Sequence, residues 1–175
     1  MRASLMLLPM AIIGSAAAPS SVQAKVFMTV EEAQALIFPN TKLTQHFVTL
    51  DQDQYNAIVD EVQGEPYSRK VRAWRTPAGE WFVLDQVPGK DNWVTYAVGI
   101  DAKGTVRQIE VLECEDKYDG ITNAAWRSYF RGQIRKFNIS RIPIISGSTL
   151  SSENMAVGVR RVLATVALVL NPSIS

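Results

Sequence analysis

Lys70-Val71-Arg72-Ala73-Trp74-Arg75, Trp81-Phe82-Val83-Leu84-Asp85-Gln86, Trp93-Val94-Thr95-Tyr96-Ala97-Val98-Gly99-Ile100 and Val106-Arg107-Gln108-Ile109-Glu110-Val111-Leu112-Glu113-Cys114 follow one another with a turn signal in every gap. In these runs β-branched, aromatic and polar residues recur at period two, the spacing of strands with two distinct faces. The gaps hold Pro77-Ala78-Gly79, Pro88-Gly89-Lys90-Asp91 and Asp101-Ala102-Lys103-Gly104, residue types that reverse a chain. Strand and turn, repeated three times, predict an antiparallel meander. No long helical pattern alternates with the strands, which argues against a doubly wound parallel sheet. The expected class is α+β: a twisted antiparallel sheet packed with short N-terminal helices and a C-terminal helix.

Outward from the meander, Thr29 followed by Glu31-Glu32 reads as an N-cap and acidic first turn for a helix over Val30–Ile37, stopped by Phe38-Pro39-Asn40. Lys42–Leu50 reads as a strand. Asp51 then caps a helix carrying Tyr55, Ile58, Val59 and Val62, which Gly64-Glu65-Pro66 ends. Beyond the meander, Thr122–Phe130 suits a short helix with Trp126 and Phe130 at i, i+4. An irregular stretch, Gly132–Gly147, leads to an apolar-rich helix from Asn154 to Leu170, with Ser151 or Ser152 as N-cap and Glu153 in its first turn. Arg160-Arg161 interrupt its apolar run, which is then far short of the ~20 residues that cross a bilayer. It reads as a core helix, with the two arginines on the surface.

Residues Met1–Ala24 carry the marks of a secretory signal. Arg2 is followed by the apolar run Leu5–Gly14, then small residues, with Val22-Gln23-Ala24 as a cleavage site and Ala16–Ala18 as a competitor. The expected organisation is a signal peptide over 1–24 and one domain over 25–175, placed in the periplasm or another extracytoplasmic space.

Composition narrows the chemistry. The 175 residues include 18 basic, 17 acidic, one Cys (Cys114) and one His (His46). That set cannot supply a tetrahedral zinc site, an iron–sulfur centre or a disulfide framework. A net charge of +1 gives no bulk attraction to nucleic acid. Neither GxGxxG nor GxxxxGK[ST] occurs. Asp51-x-Asp53 lacks the remainder of a calcium loop and reads as a solvated helix start. His46, in a strand pattern without a nearby carboxylate, reads as structural or surface, and Cys114 as a buried, inert thiol. Chemistry borrowed from a cofactor remains.

One segment suits such a cofactor. Ile144-Ile145-Ser146-Gly147-Ser148-Thr149-Leu150-Ser151-Ser152 runs an apolar piece through a hydroxyl-rich, glycine-containing turn into the last helix. Unpaired amides and the macrodipole at a helix N-terminus favour a phosphate, and an ordinary capped helix start is the competing reading. Ser146-Gly147-Ser148-Thr149-Leu150-Ser151-Ser152 resembles the Ser-Gly-Ala-Thr-x-Thr-Ser signature of the FMN-binding domain family. That family includes the C subunit of the sodium-pumping NADH:quinone oxidoreductase and the G subunit of the Rnf complex. Upstream, Ile109–Gly120 is similar to the family's strand followed by His-x-Glu-Thr-x-Gly, and Trp126-x-x-x-Phe130-x-Gly132 to its helix end. The chain departs at Pro143, where members carry Asp, at Ser148, where they carry Ala, and at Cys114, Asp116-Lys117 and Asp119 in the upstream motif.

The resemblance implies FMN joined through its phosphate to Thr149 by a flavin transferase after export. Ser146, Gly147, Ser148 and Ser151 would line the phosphate turn. Tyr118, Trp126 and Phe130 are candidates to flank the isoalloxazine, although an i, i+4 Trp/Phe pair equally suits core packing, and Lys117 could stabilise reduced flavin. The implied function is an electron carrier rather than a substrate-specific enzyme, exchanging electrons with a membrane redox protein. A flavin-free or non-covalently FMN-binding sensory or interaction module on the same scaffold is the alternative.

Overall fold

The computed structural model describes residues 24–66 and 68–174. The expected signal segment, except Ala24, lies outside the described residues. The meander is present as read, in four antiparallel strands: β4 (Lys70–Arg75), β5 (Trp81–Pro88), β6 (Trp93–Ile100) and β7 (Val106–Glu115). Three short strands extend it. β1 (Ala24–Val26) pairs with β7, while β2 (Thr44–Gln45) and β3 (Val48–Thr49) both pair with β4. The sheet order is β1-β7-β6-β5-β4-β2.

The period-two pattern gives the sheet two apolar faces, each covered by a helix. On one face Phe82, Leu84, Ala97 and Leu112 meet Ala33, Ile37 and Phe38 from α1 (Val30–Ile37) and its end. The expected cap is a full capping box: Thr29 Oγ1 accepts from the Glu32 amide at 3.1 Å and Glu32 accepts from the Thr29 amide at 2.7 Å. On the other face Trp81, Val83, Val87, Tyr96 and Val98 pack against Met155, Val159, Val162 and Val166. Those last four belong to the C-terminal helix α4 (Thr149–Thr165) and the π-turn that continues it to Leu170. α2 (Gln52–Val62) packs Ile58 and Val62 beside Leu50 and Ala164. No helix among the described residues is long and apolar enough to cross a membrane.

α4 approaches the sheet closely because Gly158 has no side chain. A Cβ there would lie 2.3 Å from the Tyr96 hydroxyl oxygen and 2.7 Å from Val87 Cγ1. Tyr96 is fully buried and its hydroxyl donates to Asp85 at 2.7 Å, so it cannot swing aside. Gly158→Ala should therefore destabilise the fold despite alanine's advantage of about 1 kcal/mol in helix propensity, because overpacking costs about 1–3 kcal/mol. A lowered urea midpoint with unchanged m-value is the expected result.

Three elements differ from the sequence reading. Lys42–Leu50 is two two-residue bridges, not one strand: His46 and Phe47 between them are exposed, and the segment has no second buried face to keep it straight. Thr122–Phe130 is split. A 3-10 stretch over Asp116–Thr122 ends at Asn123, whose side chain accepts from the amides of Ala125 and Trp126 and starts α3 (Ala124–Arg127) afresh. The last helix begins at Thr149, five residues before the expected Asn154. Ser151 and Ser152 are buried within it rather than capping it, and Glu153 falls beyond its first turn.

A surface ion pair joins α2 to the irregular stretch. Arg135 forms a two-point contact with Glu61, Nε to Oε1 at 2.6 Å and Nη2 to Oε2. The hydrogen bond from Arg135 holds the Glu61 pKa below its ordinary 4.5, outweighing partial burial. A depressed carboxylate pKa contributes stability that is present above the unfolded value and lost as pH falls through the folded one. The chain should thus lose this increment as pH drops below about 4.5, and Glu61→Gln should flatten that part of an acid-denaturation profile.

Candidate functional site

The hydroxyl-rich segment reaches the surface from a buried anchor. Ile142 is buried, and the Trp126 indole N–H donates to the Pro143 carbonyl at 2.7 Å. Trp126 sits edge-on to Phe130 with ring centroids 5.2 Å apart, both rings in the core. Arg127 secures this helix by pairing with the buried Glu110 at 2.9 Å and donating to the Ile109 carbonyl at 3.1 Å. Beyond Pro143 the chain turns. The Ser148 amide donates to the Ile145 carbonyl at 3.0 Å, and Gly147 takes φ +85°, a conformation that β-carbon sterics disfavour in other residues.

α4 then starts without a side-chain cap. Ser148 is its N-cap residue but makes no capping hydrogen bond, and no acidic residue lies in the first turn. Ser152 Oγ instead accepts from the Ile145 amide at 3.2 Å and donates to the Thr149 carbonyl at 2.9 Å, clamping the turn from inside. In a helix the first amides lack intrahelical acceptors, and here those of Thr149, Leu150 and Ser151 face that position. Ser148, Ser151 and Ser152 are buried, whereas Ser146, Gly147 and Thr149 are exposed. The Thr149 hydroxyl's hydrogen bond to the Ile145 carbonyl is long, 3.4 Å, so it is held weakly. Nothing lies within 4 Å of where a Gly147 Cβ would stand. The end of the helix is open, electropositive through its backbone, and carries an accessible hydroxyl, a donor set that fits a phosphate ester.

The upstream motif meets this turn. A Cβ on Gly120 would be 3.0 Å from Ser148 Oγ and 2.9 Å from Ile145 Cγ2, so the end of the 3-10 stretch lies directly against the Ser146–Thr149 turn. Lys117 and Tyr118 belong to that same stretch; their side chains lie outside the described residues. Trp126 enters through the Pro143 contact, from beneath the segment. His46 is exposed and edge-on to Trp81 at 5.2 Å, and Cys114 is buried in β7 in the core cluster that also holds Trp126 and Ile142. Asp51 caps α2, accepting from the Gln54 amide at 2.8 Å.

Three buried charged groups escaped the sequence reading: Glu110, paired with Arg127, together with Arg161 and Glu115. Arg161, expected on the surface, is 6% exposed; it donates to Asp85 Oδ2 at 2.6 Å, the Gln86 carbonyl at 2.9 Å and the Glu65 carbonyl at 3.0 Å. Its apolar helical neighbours were the available signal. Burial, reinforced by the Asp85 carboxylate, pushes the Tyr96 hydroxyl pKa well above its usual value and keeps it a neutral donor. Glu115, at the end of β7, accepts from the amides of Asp91 at 2.6 Å and of Asn92, tying the β5–β6 turn to the strand that leads into the 3-10 stretch.

Residues 89–164, from the β5–β6 turn to near the end of α4, match the family model of the FMN-binding domain. This part of the chain, 76 of the 175 residues, is similar to the FMN-binding domain. No curated protein and no solved structure matches the chain closely enough to add to that.

Proposed function

We propose that the protein is an exported electron carrier whose FMN is esterified through its phosphate to Thr149. The observation that carries this reading is the exposed Thr149 hydroxyl at the first position of an uncapped helix, within a segment that matches the FMN-binding domain. Thr149 Oγ1 would be the ester oxygen. The amides of Thr149–Ser151 and the Ser148 and Ser151 hydroxyls would receive the phosphate charge, with Ser146 and Gly147 forming the outer wall of the turn. The buried Ser152 clamp and the Trp126–Pro143 bond hold the acceptor in place. When bound, FMN supplies one- and two-electron redox chemistry, which none of these side chains provides.

Exposure supports a carrier rather than an enclosed active site. Ile144 is 59% and Leu150 46% exposed, one on each side of the turn. A ring tethered there meets apolar surface on one side and solvent on the other, open to a membrane redox partner. Maturation requires a flavin transferase, and the N-terminal segment directs the chain to the periplasm or its equivalent. Co-expression of the full chain with a flavin transferase, followed by denaturation and gel filtration, tests the reading. Flavin absorbance should remain with the polypeptide and bleach reversibly on reduction before denaturation. Polypeptide devoid of flavin under native and denaturing conditions alike would favour the flavin-free interaction module.

A further inference from the structure

β4 has three neighbours. Arg72–Arg75 pair with β5, and Trp74 and Arg75 also with β2, whereas Lys70 and Val71 pair with β3 and have no β5 partner. The strands part at Arg72, and β5 runs on through Asp85 and Gln86 with no β4 residue opposite. A cavity of about 560 Å³ opens in this fork, in the size range of small-molecule sites. Val48, Leu50, Val71, Val83 and Val162 give it apolar walls. Arg161 lies twelve residues along α4 from Thr149, about 18 Å at ~1.5 Å per residue, so the fork is a separate place from the phosphate turn.

Its charges are arranged asymmetrically. Asp85 is the sole carboxylate among the described lining residues, and Arg161 and Tyr96 already hold it. Lys70 and Arg72, both also lining, are exposed and form no ion pair with a carboxylate among the described residues. The cavity is therefore apolar within and positive at its mouth. A peptide strand is poorly suited to the fork, because Arg161 already occupies the Gln86 carbonyl that strand pairing would use.

We infer that the fork between β4 and β5 is a binding site for an anionic amphiphile, an alkyl chain seated among the valines with its carboxylate at Lys70 and Arg72. Apolar burial supplies the affinity and the two cations select the head group. This site does not depend on flavin attachment.

Laurate is a suitable probe, titrated calorimetrically into the full chain, with dodecanol as the uncharged control and methyl NMR to locate the ligand. One laurate per chain is expected, with shifts centred on Val71 and Val162. Dodecanol should bind about tenfold more weakly, and the paired substitution Lys70→Glu with Arg72→Glu should weaken laurate by about tenfold or more. Both positions are at the surface, so the melting curve of the doubly substituted chain should stay close to that of the unaltered protein. Absence of saturable binding, shifts centred elsewhere, or laurate affinity indifferent to charge reversal would each overturn the assignment.

Discussion

Arg161→Ala is expected to lower the unfolding free energy by about 3–5 kcal/mol, the range for removing one partner of a buried ion pair. The guanidinium joins three parts of the chain: Asp85 and Gln86 on β5, Glu65 after α2, and α4 itself. Without it, the Asp85 carboxylate keeps the Tyr96 hydroxyl as its remaining donor, and two carbonyls lose theirs. Most of the loss is the penalty of stranding those groups rather than the intrinsic strength of the pair. Replacing both partners, Arg161→Met with Asp85→Leu, should consequently recover a large share of it. Urea unfolding at neutral pH distinguishes the outcomes. A loss below about 1 kcal/mol for Arg161→Ala would place the pair among solvent-screened surface contacts and contradict the buried geometry.

The same arginine shows where the sequence could be read and where it could not. α1 was legible to the residue because its determinants are local: Thr29 and Glu32 cap each other across one turn. The meander was legible because alternation and turn residues act within a few positions. Arg161 was not, because its partner lies 76 residues away and nothing in a helical stripe announces a carboxylate on the facing strand. The start of α4 was misplaced for a different reason. Ser151 and Ser152 have the chemistry of caps, yet Ser152 spends its hydroxyl on Ile145 and Thr149, and Gly147 lets the helix begin earlier. For the candidate site, composition and order point to the Ser146–Thr149 turn, but the contact of Gly120 with Ser148 depends on how β7 ends.

That earlier start of α4 bears on the role proposed for Thr149. A residue at the first helical position projects into the zone of free amides, while one still in the preceding loop need not. Thr149→Ala should abolish covalent flavin completely and leave the fold intact, since the hydroxyl's single hydrogen bond is a long one of 3.4 Å. Thr149→Ser should retain attachment, because the ester oxygen survives. Ser148→Ala should also retain it, because Ser148 makes no capping bond.

The most direct test of the Thr149 ester is peptide mass mapping of the full chain after co-expression with a flavin transferase. The peptide that contains Ser146–Ser152 should gain the mass of one FMN less one water, with fragmentation placing the addition on Thr149. The Thr149→Ala chain should show the unmodified peptide. An unmodified peptide in the unaltered protein, or a flavin located on Ser146, Ser148 or Ser151, would contradict the account.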